Sequence, residues 1–401
     1  MKNLTVLGST GSIGCNTLDV LRRRDDYKVF ALVAGQNAET LASQILEFRP
    51  RLVVVATEPV RANLRNRLRE AGLPASEWPQ LEFGPEARIQ SVRDAEVDFV
   101  MSAIVGVAGL EATYEAARLG KKVGLANKEV LVASGALVTE AARASGTELI
   151  PVDSEHNGVH QCLRAGKRAE VARVILTASG GPFRETPVEK LRDVTPEQAL
   201  NHPTWKMGRR ITIDSATMMN KGFEVIEACW LFGLKPEEVG VVVHPQSSVH
   251  ALVEYTDGSV IAQISATDMR MPIQYALTYP DRESAPVPRL DWTAARHWDF
   301  SAPEFAKFPL LGLAYQAQRT GGSAPCTLNA ADEIAVSAFL EGRVSYPGMA
   351  EVVEETLAKV PVRQPKSIGE VLAIDEESRT AARASVARRA GAETNRPLAR
   401  V

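Results

Sequence analysis

The chain has 401 residues, of which 45% are hydrophobic and 24% charged, and its formal net charge is −3. This composition excludes a largely disordered chain, a collagen-like repeat and a small disulfide scaffold. The balance of charge argues against a dedicated nucleic-acid-binding protein, which carries a strong basic excess. The length predicts two or three domains with well-buried cores.

The cysteines and the apolar runs bear on the compartment. Cys15, Cys162, Cys229 and Cys326 are widely spaced, which predicts reduced thiols and neither a disulfide framework nor a zinc site. No run of about 18 apolar residues occurs, so no membrane span and no membrane partner are expected. The chain begins with a strand-like pattern and lacks the apolar core of a signal peptide. We therefore expect a cytoplasmic protein.

Strand-like and helix-like patterns alternate along residues 1–150. Such alternation predicts βαβ units and a parallel sheet. The predicted strands are residues 4–7, 28–34, 52–56, 99–103 and 122–125, and the predicted helices are residues 16–24, 38–48 and 109–118. We interpret residues 1–150 as a Rossmann-like dinucleotide-binding domain.

Residues 151–285 show a different pattern, with predicted strands at 171–177, 239–244 and 249–255. The Asp257-Gly258 pair is a strong hairpin signal, so we predict a central α+β domain. A proline-rich stretch at residues 279–288 predicts a linker or an extended crossing segment, and we assign residues 286–309 as the linker. The predicted C-terminal helical domain, residues 310–390, has helices at 310–319, 330–340, 349–359 and 376–389, and residues 391–401 are predicted to be a disordered tail.

A glycine-rich turn, residues 8–14 (GSTGSIG), follows the first predicted strand and opens a helix. Its spacing is a variant of the dinucleotide fingerprint. Gly8 allows the tight turn, Gly11 lets backbone approach a pyrophosphate, and Gly14 permits close packing of helix on strand. The helix N-terminus offers N–H groups and a partial positive charge to the anion. A bare structural turn is the alternative, but the position in a βαβ unit favours dinucleotide binding.

The residues after the second predicted strand bear on the choice of cofactor. That strand leads into Gly35-Gln36-Asn37, and no acidic residue occurs before Glu39. Enzymes specific for NAD usually carry an acid there, which binds the ribose 2′-hydroxyl and would repel a 2′-phosphate. Its absence favours NADP.

Two polar segments predict a metal site. In an extended segment Asp153 and Glu155 would point to the same side, and on a helix Asn220, Lys221 and Glu224 would share a face. Three carboxylates without cysteine suit a hard ion, Mg²⁺ or Mn²⁺. A solvated acidic loop, or Asp153 as a helix N-cap, remains an alternative.

Three further segments suit substrate binding. Lys128 follows the strand at 122–125, at the carboxyl end of the sheet, where open α/β folds bind ligands. A surface lysine at the start of a helix is the alternative. The small-residue loop at 177–183 suits a phosphate. The loop at 201–208, which contains Trp205, suits a lid over a substrate. Ordinary loop chemistry is the alternative for both loops.

Together these segments closely resemble the 1-deoxy-D-xylulose 5-phosphate reductoisomerase family. The resemblance spans nearly the whole chain in the family's order. The matching strings are GSTGSIG (8–14), ALVAGQN (31–37), LANKE (125–129), PVDSEHN (151–157), SGGPFRETP (179–187), HPTWKMG (202–208), DSATMMNKG (214–222), HPQSSVH (244–250) and LNAADEIAV (328–336).

The resemblance implies a reaction. A 1-deoxy ketose phosphate, the small-molecule substrate, rearranges to a branched aldehyde phosphate, which NADPH reduces to 2-C-methyl-D-erythritol 4-phosphate in non-mevalonate isoprenoid biosynthesis. It also implies one divalent cation per subunit, Mg²⁺ or Mn²⁺, and a homodimer. An N-terminal NADPH domain, a central catalytic domain and a C-terminal helical domain are expected.

The resemblance also assigns roles by position. It implies Lys128, Asp153, Glu155 and Glu224 as catalytic residues, the three carboxylates being the metal ligands. It implies substrate contacts at Lys128, Ser154, Glu155, Ser179, His202, Ser215, Asn220, Lys221 and Glu224, with the phosphate at Ser179, Ser215, Asn220 and Lys221. It implies a lid with Trp205 and Met207, and cofactor contacts at Thr10, Gly11, Ser12, Ile13, Gly35, Asn37, Asn127, Glu129 and Gly208. Gln36 departs from the pattern, because many members have a basic residue there beside the adenosine ribose.

Two other functions remain open at this point. A metal-independent NADP dehydrogenase would use the same glycine-rich loop but would not need the three carboxylates together. A non-catalytic nucleotide-sensing protein would bind the cofactor without turnover. The intact set of Lys128 and the carboxylates argues against the sensing protein.

Overall fold

The computed structural model describes residues 1–205 and 207–394, with side chains through residue 390. Contacts divide the chain into two compact units. The first comprises Met1–Val130, Ala136–His160 and Ser265–Asp291, and the second comprises Leu131–Gly135, Gln161–Ile264 and the chain from Trp292 onward. These divisions differ from the boundaries predicted after residues 150 and 285, and the assignment of three functional domains stays a prediction. None of the described helices is both long and apolar enough to cross a bilayer.

The described residues form eleven strands and fifteen α-helices. The strands are β1 Lys2–Leu7, β2 Tyr27–Val33, β3 Leu52–Val55, β4 Gln80–Phe83, β5 Phe99–Ser102, β6 Lys122–Leu125, β7 Leu149–Pro151, β8 Val171–Ala178, β9 Val239–Val243, β10 Val249–Tyr255 and β11 Val260–Ile264. The helices are α1 Ser12–Leu21, α2 Ala38–Phe48, α3 Glu58–Glu70, α4 Gly84–Arg93, α5 Leu110–Arg118, α6 Lys128–Ser145, α7 Ser154–Cys162, α8 Pro196–Leu200, α9 Arg209–Ala216, α10 Met219–Phe232, α11 Arg270–Thr278, α12 Pro309–Thr320, α13 Ala324–Leu340, α14 Tyr346–Lys359 and α15 Ile368–Thr394.

A seven-stranded sheet in the order β4-β3-β2-β1-β5-β6-β7 forms the centre of the first unit. All its strand pairs are parallel, as the alternating patterns predicted. Its inner strands are almost continuously apolar because helices cover both faces of such a sheet. Buried side chains from β1, β2, α1 and α2 meet in one core, which includes Leu4, Leu32, Leu18 and Leu41.

A four-stranded mixed sheet in the order β11-β10-β8-β9 lies in the second unit. The predicted hairpin joins β10 to β11, which pair antiparallel, and Gly258 adopts a φ of +85° in its turn. Helices α9, α10 and α12 to α14 share a second core that includes Ile213, Phe223, Leu328 and Val352. The predicted fold class, α/β with a parallel sheet followed by a mixed and then a largely helical region, is confirmed.

The end of the chain departs from the predicted pattern. Helix α15 begins at Ile368 and continues through Thr394, so it enters the stretch 391–401 that was predicted to be a disordered tail. Residues 395–401 of that stretch lie outside the described residues. The predicted linker, residues 286–309, contains no helix or strand before α12 begins at Pro309, apart from one bridge between Ser301 and Val243.

Candidate active site

The glycine-rich loop lies at the point of the first sheet where the strand order reverses. Strand β1 pairs with β2 on one side and with β5 on the other, so the loop after β1 occupies this switch point, where open α/β sheets bind ligands. Gly8 has a φ of +90°, and a Cβ there would lie 2.4 Å from the carbonyl oxygen of Ala103. A Cβ on Gly14 would lie 2.3 Å from the carbonyl oxygen of Gly8. Both positions therefore require glycine.

The surroundings of this loop fit a dinucleotide. Gly11 precedes α1 without a side-chain cap, so the N–H groups of the first turn remain suited to an anion. Gly11 and Ser12 are exposed, and Thr10 and Ile13 are partly exposed. A Cβ on Gly35, after the adjacent β2, would contact nothing within 4 Å. The ends of β1 and β2 thus form an open backbone cradle.

Other predicted cofactor residues have structural roles within their own unit. Asn37 caps α2 by accepting a hydrogen bond from the Thr40 N–H at 3.0 Å. Asn127 is buried, donates to the carbonyl oxygen of Gly106 at 3.1 Å and accepts from the Val130 N–H at 3.3 Å, which caps α6. Glu129 is buried in the first turn of α6. Gly208, in the second unit, is the exposed N-cap of α9. Their cofactor contacts stay predictions.

Lys128 and Asp153 form an ion pair at the carboxyl ends of β6 and β7. Burial would raise the pKa of the Asp153 carboxyl, but the charges of Lys128 and His156 outweigh it and hold that pKa well below its ordinary value. Lys128 is therefore not an exposed surface lysine. A buried lysine held beside an ionised carboxylate is typical of a functional site.

The local structure around Asp153 differs from the expected extended segment. Helix α7 begins at Ser154, so Glu155 lies in its first turn and the premise of an extended segment was wrong. Asp153 precedes the helix and accepts from the Ser154 N–H at 3.1 Å. A carboxylate oxygen of Asp153 nevertheless lies within 4.8 Å of one from Glu155. The helix start, and not strand alternation, brings these two carboxylates together.

Sequence reasoning missed His156 at this position. It is fully buried on α7, and its Nδ1 lies 3.4 Å from a carboxylate oxygen of Asp153. The spacing of the two residues could have indicated this contact. Asp153 precedes helix α7, and a side chain three positions later, such as His156, can turn back toward it. The Ser154 hydroxyl, in turn, donates to Glu155 at 2.7 Å.

Helix α10 in the second unit carries the other predicted polar group. Asn220, Lys221 and Glu224 share one face, as predicted. The Asn220 amide donates to one Glu224 oxygen at 2.6 Å, and the Lys221 ammonium pairs with the other oxygen. Glu224 is fully buried and Lys221 nearly so. A buried carboxylate is stabilised in its ionised form by a hydrogen-bond donor and a neighbouring cation. Asn220 and Lys221 provide both to Glu224 from the same helix, which makes Glu224 a candidate anionic metal ligand.

The predicted phosphate residues Ser179 and Ser215 meet at His202. The His202 Nε2 lies 3.0 Å from the Ser179 hydroxyl and 3.1 Å from the Ser215 hydroxyl. Its Nδ1 accepts hydrogen bonds from the backbone N–H groups of Thr204 and Trp205, at 3.2 and 2.9 Å. An accepting Nδ1 leaves the proton of the neutral ring on Nε2. The three side chains thus form one cluster of hydroxyl and imidazole N–H groups.

We expect His202 to stay neutral at pH 7. Burial and the positive charge of Arg184 lower the pKa of His202 below its ordinary value. Since the unfolded chain takes up the proton at the ordinary pKa of about 6.5, the stabilisation from this group is complete above that pH and is lost as the pH falls. Histidine NMR titration should give a midpoint for His202 below the ordinary value of about 6.5. A midpoint above that value would contradict this prediction.

The loop predicted to be a lid contributes two partly exposed side chains, Trp205 and Met207. Next to it lies an open cavity of about 830 Å³ in the second unit. Its lining includes His202, Gly181 and Arg184. The loop therefore borders a space large enough for a small ligand, beside the hydroxyls that suit a phosphate.

A buried acidic pair close to Ser215 was also missed. Asp214 on α9 and Asp332 on α13 both lie near Arg210, whose nitrogens are 3.7 and 3.8 Å from their carboxylates. Burial and the neighbouring charge of Asp214 raise the pKa of Asp332 well above its ordinary value. The signal was the string LNAADEIAV, which matched the family but suggested no role.

We expect Asp332→Asn to stabilise the chain above neutral pH by about 1–3 kcal/mol. The amide has the shape of the protonated carboxyl but needs no proton. Because the pKa of Asp332 is raised on folding, its contribution to stability is complete below the unfolded pKa of about 4 and is lost as the pH rises. Thermal unfolding between pH 5 and 9 should show a gain that grows with pH, whereas Glu354→Gln, an exposed change on α14, should show none. A gain independent of pH would contradict the charge argument.

Fold and side chains together define the class, a dinucleotide-binding α/β enzyme. Three family models match the chain: 1-deoxy-D-xylulose 5-phosphate reductoisomerase at residues 4–135, its C-terminal domain at 149–232, and DXP reductoisomerase C-terminal domain at 264–381. The chain belongs to the 1-deoxy-D-xylulose 5-phosphate reductoisomerase family, which confirms the family predicted from the motifs.

Individual relatives match nearly the whole chain. The 1-deoxy-D-xylulose 5-phosphate reductoisomerase of Solibacter usitatus (strain Ellin6076) is 69% identical over 384 residues, which are 96% of this chain and 97% of the relative. The solved reductoisomerase of Zymomonas mobilis in complex with NADPH is 44% identical, covers 96% of this chain and 99% of its own, and has a TM-score of 0.89. A DOX-P reductoisomerase in complex with NADPH, fosmidomycin and magnesium is 38% identical, covers 96% and 98%, and has a TM-score of 0.88.

Proposed function

We propose that this chain converts 1-deoxy-D-xylulose 5-phosphate into 2-C-methyl-D-erythritol 4-phosphate, with NADPH and a divalent cation. It is an oxidoreductase of non-mevalonate isoprenoid biosynthesis. The observation that carries the proposal is the 69% identity to a reductoisomerase over 96% of the chain. Related structures in complex with NADPH and with magnesium support the cofactors.

Asp153, Glu155 and Glu224 are proposed to hold the cation. Their carboxylate oxygens are the donors that Mg²⁺ and Mn²⁺ prefer, and Asp153 and Glu224 are each kept anionic by a neighbouring lysine. A bound divalent cation supplies Lewis acidity toward the carbonyl and hydroxyl oxygens of the substrate. Ser154, which donates to Glu155, is proposed to contact the substrate next to this group.

Lys128 is proposed to stabilise negative charge on a substrate oxygen while the carbon skeleton rearranges. Its ammonium is buried, so water screens its charge little. The pairing with Asp153 fixes its position before the substrate arrives, which is the preorganisation that makes such a donor effective. The lysine needs to transfer no proton in this role.

Ser179, His202 and Ser215, together with Asn220 and Lys221, are proposed to bind the substrate phosphate. The neutral His202 donates from Nε2, the serine hydroxyls donate beside it, and Lys221 supplies a charge. Binding energy from a phosphate remote from the reacting carbons orients the substrate for the chemistry.

The glycine cradle after β1 is proposed to hold the pyrophosphate of NADPH, which supplies the hydride. Thr10, Gly11, Ser12 and Ile13 surround the N-terminus of α1, and Gly35 leaves room at the end of β2. Asn37, Asn127, Glu129 and Gly208 are proposed as further cofactor contacts. The exposed Gln36 offers no cation to a 2′-phosphate, so the strength of the NADP preference is to be measured directly against NAD.

The test follows NADPH absorbance with purified protein and 1-deoxy-D-xylulose 5-phosphate, first with Mg²⁺ or Mn²⁺ and then with chelator. Oxidation that needs both substrate and metal is expected. Oxidation that survives the chelator would contradict the metal site and favour a metal-independent dehydrogenase. NADPH binding without any oxidation would contradict the proposed reaction and favour a nucleotide-sensing protein.

Trp205 and Met207 are proposed to cover the bound substrate. We expect Trp205→Ala to raise KM and lower kcat several-fold, because the open site admits water and orients the substrate less well. Steady-state kinetics check this, with Trp292→Ala, an exposed tryptophan outside the helices and strands, as the matched control. Kinetics equal to those of the control would contradict a lid role.

We further propose that the chain acts as a homodimer in the cytoplasm. This rests on the family resemblance. Sedimentation equilibrium at micromolar concentration is expected to give twice the chain mass of 43.4 kDa, and a monomer mass would contradict it.

A further inference from the structure

Helix α9 carries Ser215 and is connected to the C-terminal helices through partly buried polar bonds. Near its start, Arg210 donates to Glu333 at 2.7 Å and to the side-chain oxygen of Asn329 at 2.9 Å, both on α13. The second oxygen of Glu333 accepts from Arg379 on α15 at 2.6 Å. One carboxylate thus joins two arginines from two other helices.

These groups are only partly accessible to solvent. The side chains of Arg210, Glu333 and Arg379 are exposed by only 20%, 18% and 15%. Arg379 is also fixed by Asp375 at 2.6 Å, one turn earlier on α15. Charge-assisted hydrogen bonds in such surroundings are directional and stronger than exposed ion pairs. They therefore fix the position of the first turn of α9 relative to α13 and α15.

The other end of α9 is held by α14. The buried Tyr346 hydroxyl donates to the carbonyl oxygen of Ala216, the last residue of the helix, at 2.7 Å. Its ring meets Phe183, in the loop after Ser179, edge to face at 5.3 Å. A Cβ on Gly181 would lie 2.8 Å from the Ser215 carbonyl oxygen, so this loop packs directly on the end of α9. A shift of α9 would therefore move both serines.

We infer that Glu333 and Tyr346 are positioning residues for the substrate phosphate, because they hold α9 at both ends and thereby align Ser215 with Ser179 and His202. The inference rests on the proposed function. Neither residue touches the substrate, and each acts through α9. The C-terminal helices α13 to α15 thus gain a defined role within the second unit, as the support of the phosphate subsite.

The test uses Glu333→Gln and Tyr346→Phe in the full chain. Glu333→Gln keeps the size but turns an amide N–H toward one arginine, and Tyr346→Phe removes one hydroxyl while the ring packing remains. Glu377→Gln is the matched control. Glu377 lies on α15, the same helix as Arg379, and forms an exposed ion pair with Arg363 at 2.6 Å. Each variant is assayed with 1-deoxy-D-xylulose 5-phosphate and with 1-deoxy-D-xylulose, which lacks the phosphate.

We expect each variant to raise KM for the phosphorylated substrate roughly tenfold, the equivalent of one charge-assisted or buried hydrogen bond. The inhibition constant of inorganic phosphate should rise by the same factor. The kcat, and kcat/KM for the unphosphorylated substrate, should change less than about threefold, as in Glu377→Gln. A purely structural role would not produce this dependence on the phosphate.

Two results would overturn the inference: equal losses on both substrates, or a lower melting temperature with unchanged KM in both variants. A failure of the proposed function is distinguishable, because the unaltered chain would then oxidise no NADPH with either substrate. In that case ³¹P NMR line widths of inorganic phosphate test whether Glu333 and Tyr346 affect phosphate binding. Equal binding by the unaltered chain and both variants would overturn the inference, and weaker binding by the variants alone would support it.

Discussion

Lys128→Ala is expected to lower kcat by roughly 10²- to 10³-fold, the loss typical of removing one preorganised donor to a developing anion. The melting temperature should change by only a few degrees. Although Asp153 loses its ion-pair partner, it still accepts from the Ser154 N–H at 3.1 Å and lies 3.4 Å from His156. Steady-state kinetics and thermal unfolding of the same preparation check both parts of this prediction.

Lys122→Ala is the matched control for Lys128. Lys122 lies at the start of the same strand, β6, and forms an exposed pair with Glu148 at 2.7 Å. Its removal should leave both kcat and unfolding nearly unchanged, since exposed pairs contribute about 0–1 kcal/mol. A Lys128→Ala variant that unfolds far more easily while its remaining folded fraction turns over normally would assign the lysine a structural role.

Glu224→Gln is expected to abolish most metal-dependent turnover, by at least roughly 100-fold, while NADPH binding is kept. The neutral amide leaves one anionic oxygen donor fewer for the cation, and the charge of Lys221 then repels the ion that Glu224 would bind. Binding of Mn²⁺, followed by electron paramagnetic resonance, gives a readout independent of activity. Both metal affinity and turnover should fall together.

Glu224→Asp and Glu237→Gln complete that experiment. Aspartate keeps the charge but shortens the side chain, so it should restore part of the metal affinity. Glu237 is exposed and pairs with Arg319 at 2.7 Å. The Glu237→Gln variant therefore tests whether loss of any carboxylate in this unit lowers metal affinity or turnover. Turnover of Glu224→Gln equal to that of Glu237→Gln at limiting metal would remove Glu224 from the metal site.

Local pattern was sufficient wherever one periodicity dominated. Helix α2 has the predicted bounds, and β10 matches residues 249–255, because apolar spacing over a whole element leaves few alternatives. Helix α3 was not predicted, since among many arginines and glutamates it buries only Val60, Leu64 and Leu68. Strand β4 buries only Leu81 and strand β7 has only three residues, so neither presents the apolar run by which β3, β5 and β6 were predicted.

The site shows the same division. The proximity of Asp153 and Glu155 was predicted from an extended backbone, whereas the structure has the start of a helix there. A segment of three residues fits either conformation. The face shared by Asn220, Lys221 and Glu224 follows from helical periodicity alone and was predicted correctly. The partner of Lys128 has no local signature, because Asp153 lies 25 positions along the chain. The tautomer of His202 is set locally, by the N–H groups of Thr204 and Trp205, but it depends on the backbone conformation of an irregular loop, which no periodicity predicts.

The sequence by itself determined the parallel sheet, the glycine cradle at its switch point, the family and the residue types of the candidate site. These follow from periodicity, from the conformations that only glycine accepts, and from long motifs. Only the tertiary structure decided that Lys128 neutralises Asp153 and that Arg210 reaches Glu333, 123 positions along the chain. Such pairings depend on how distant helices and strands pack, and no local pattern of residues records that geometry.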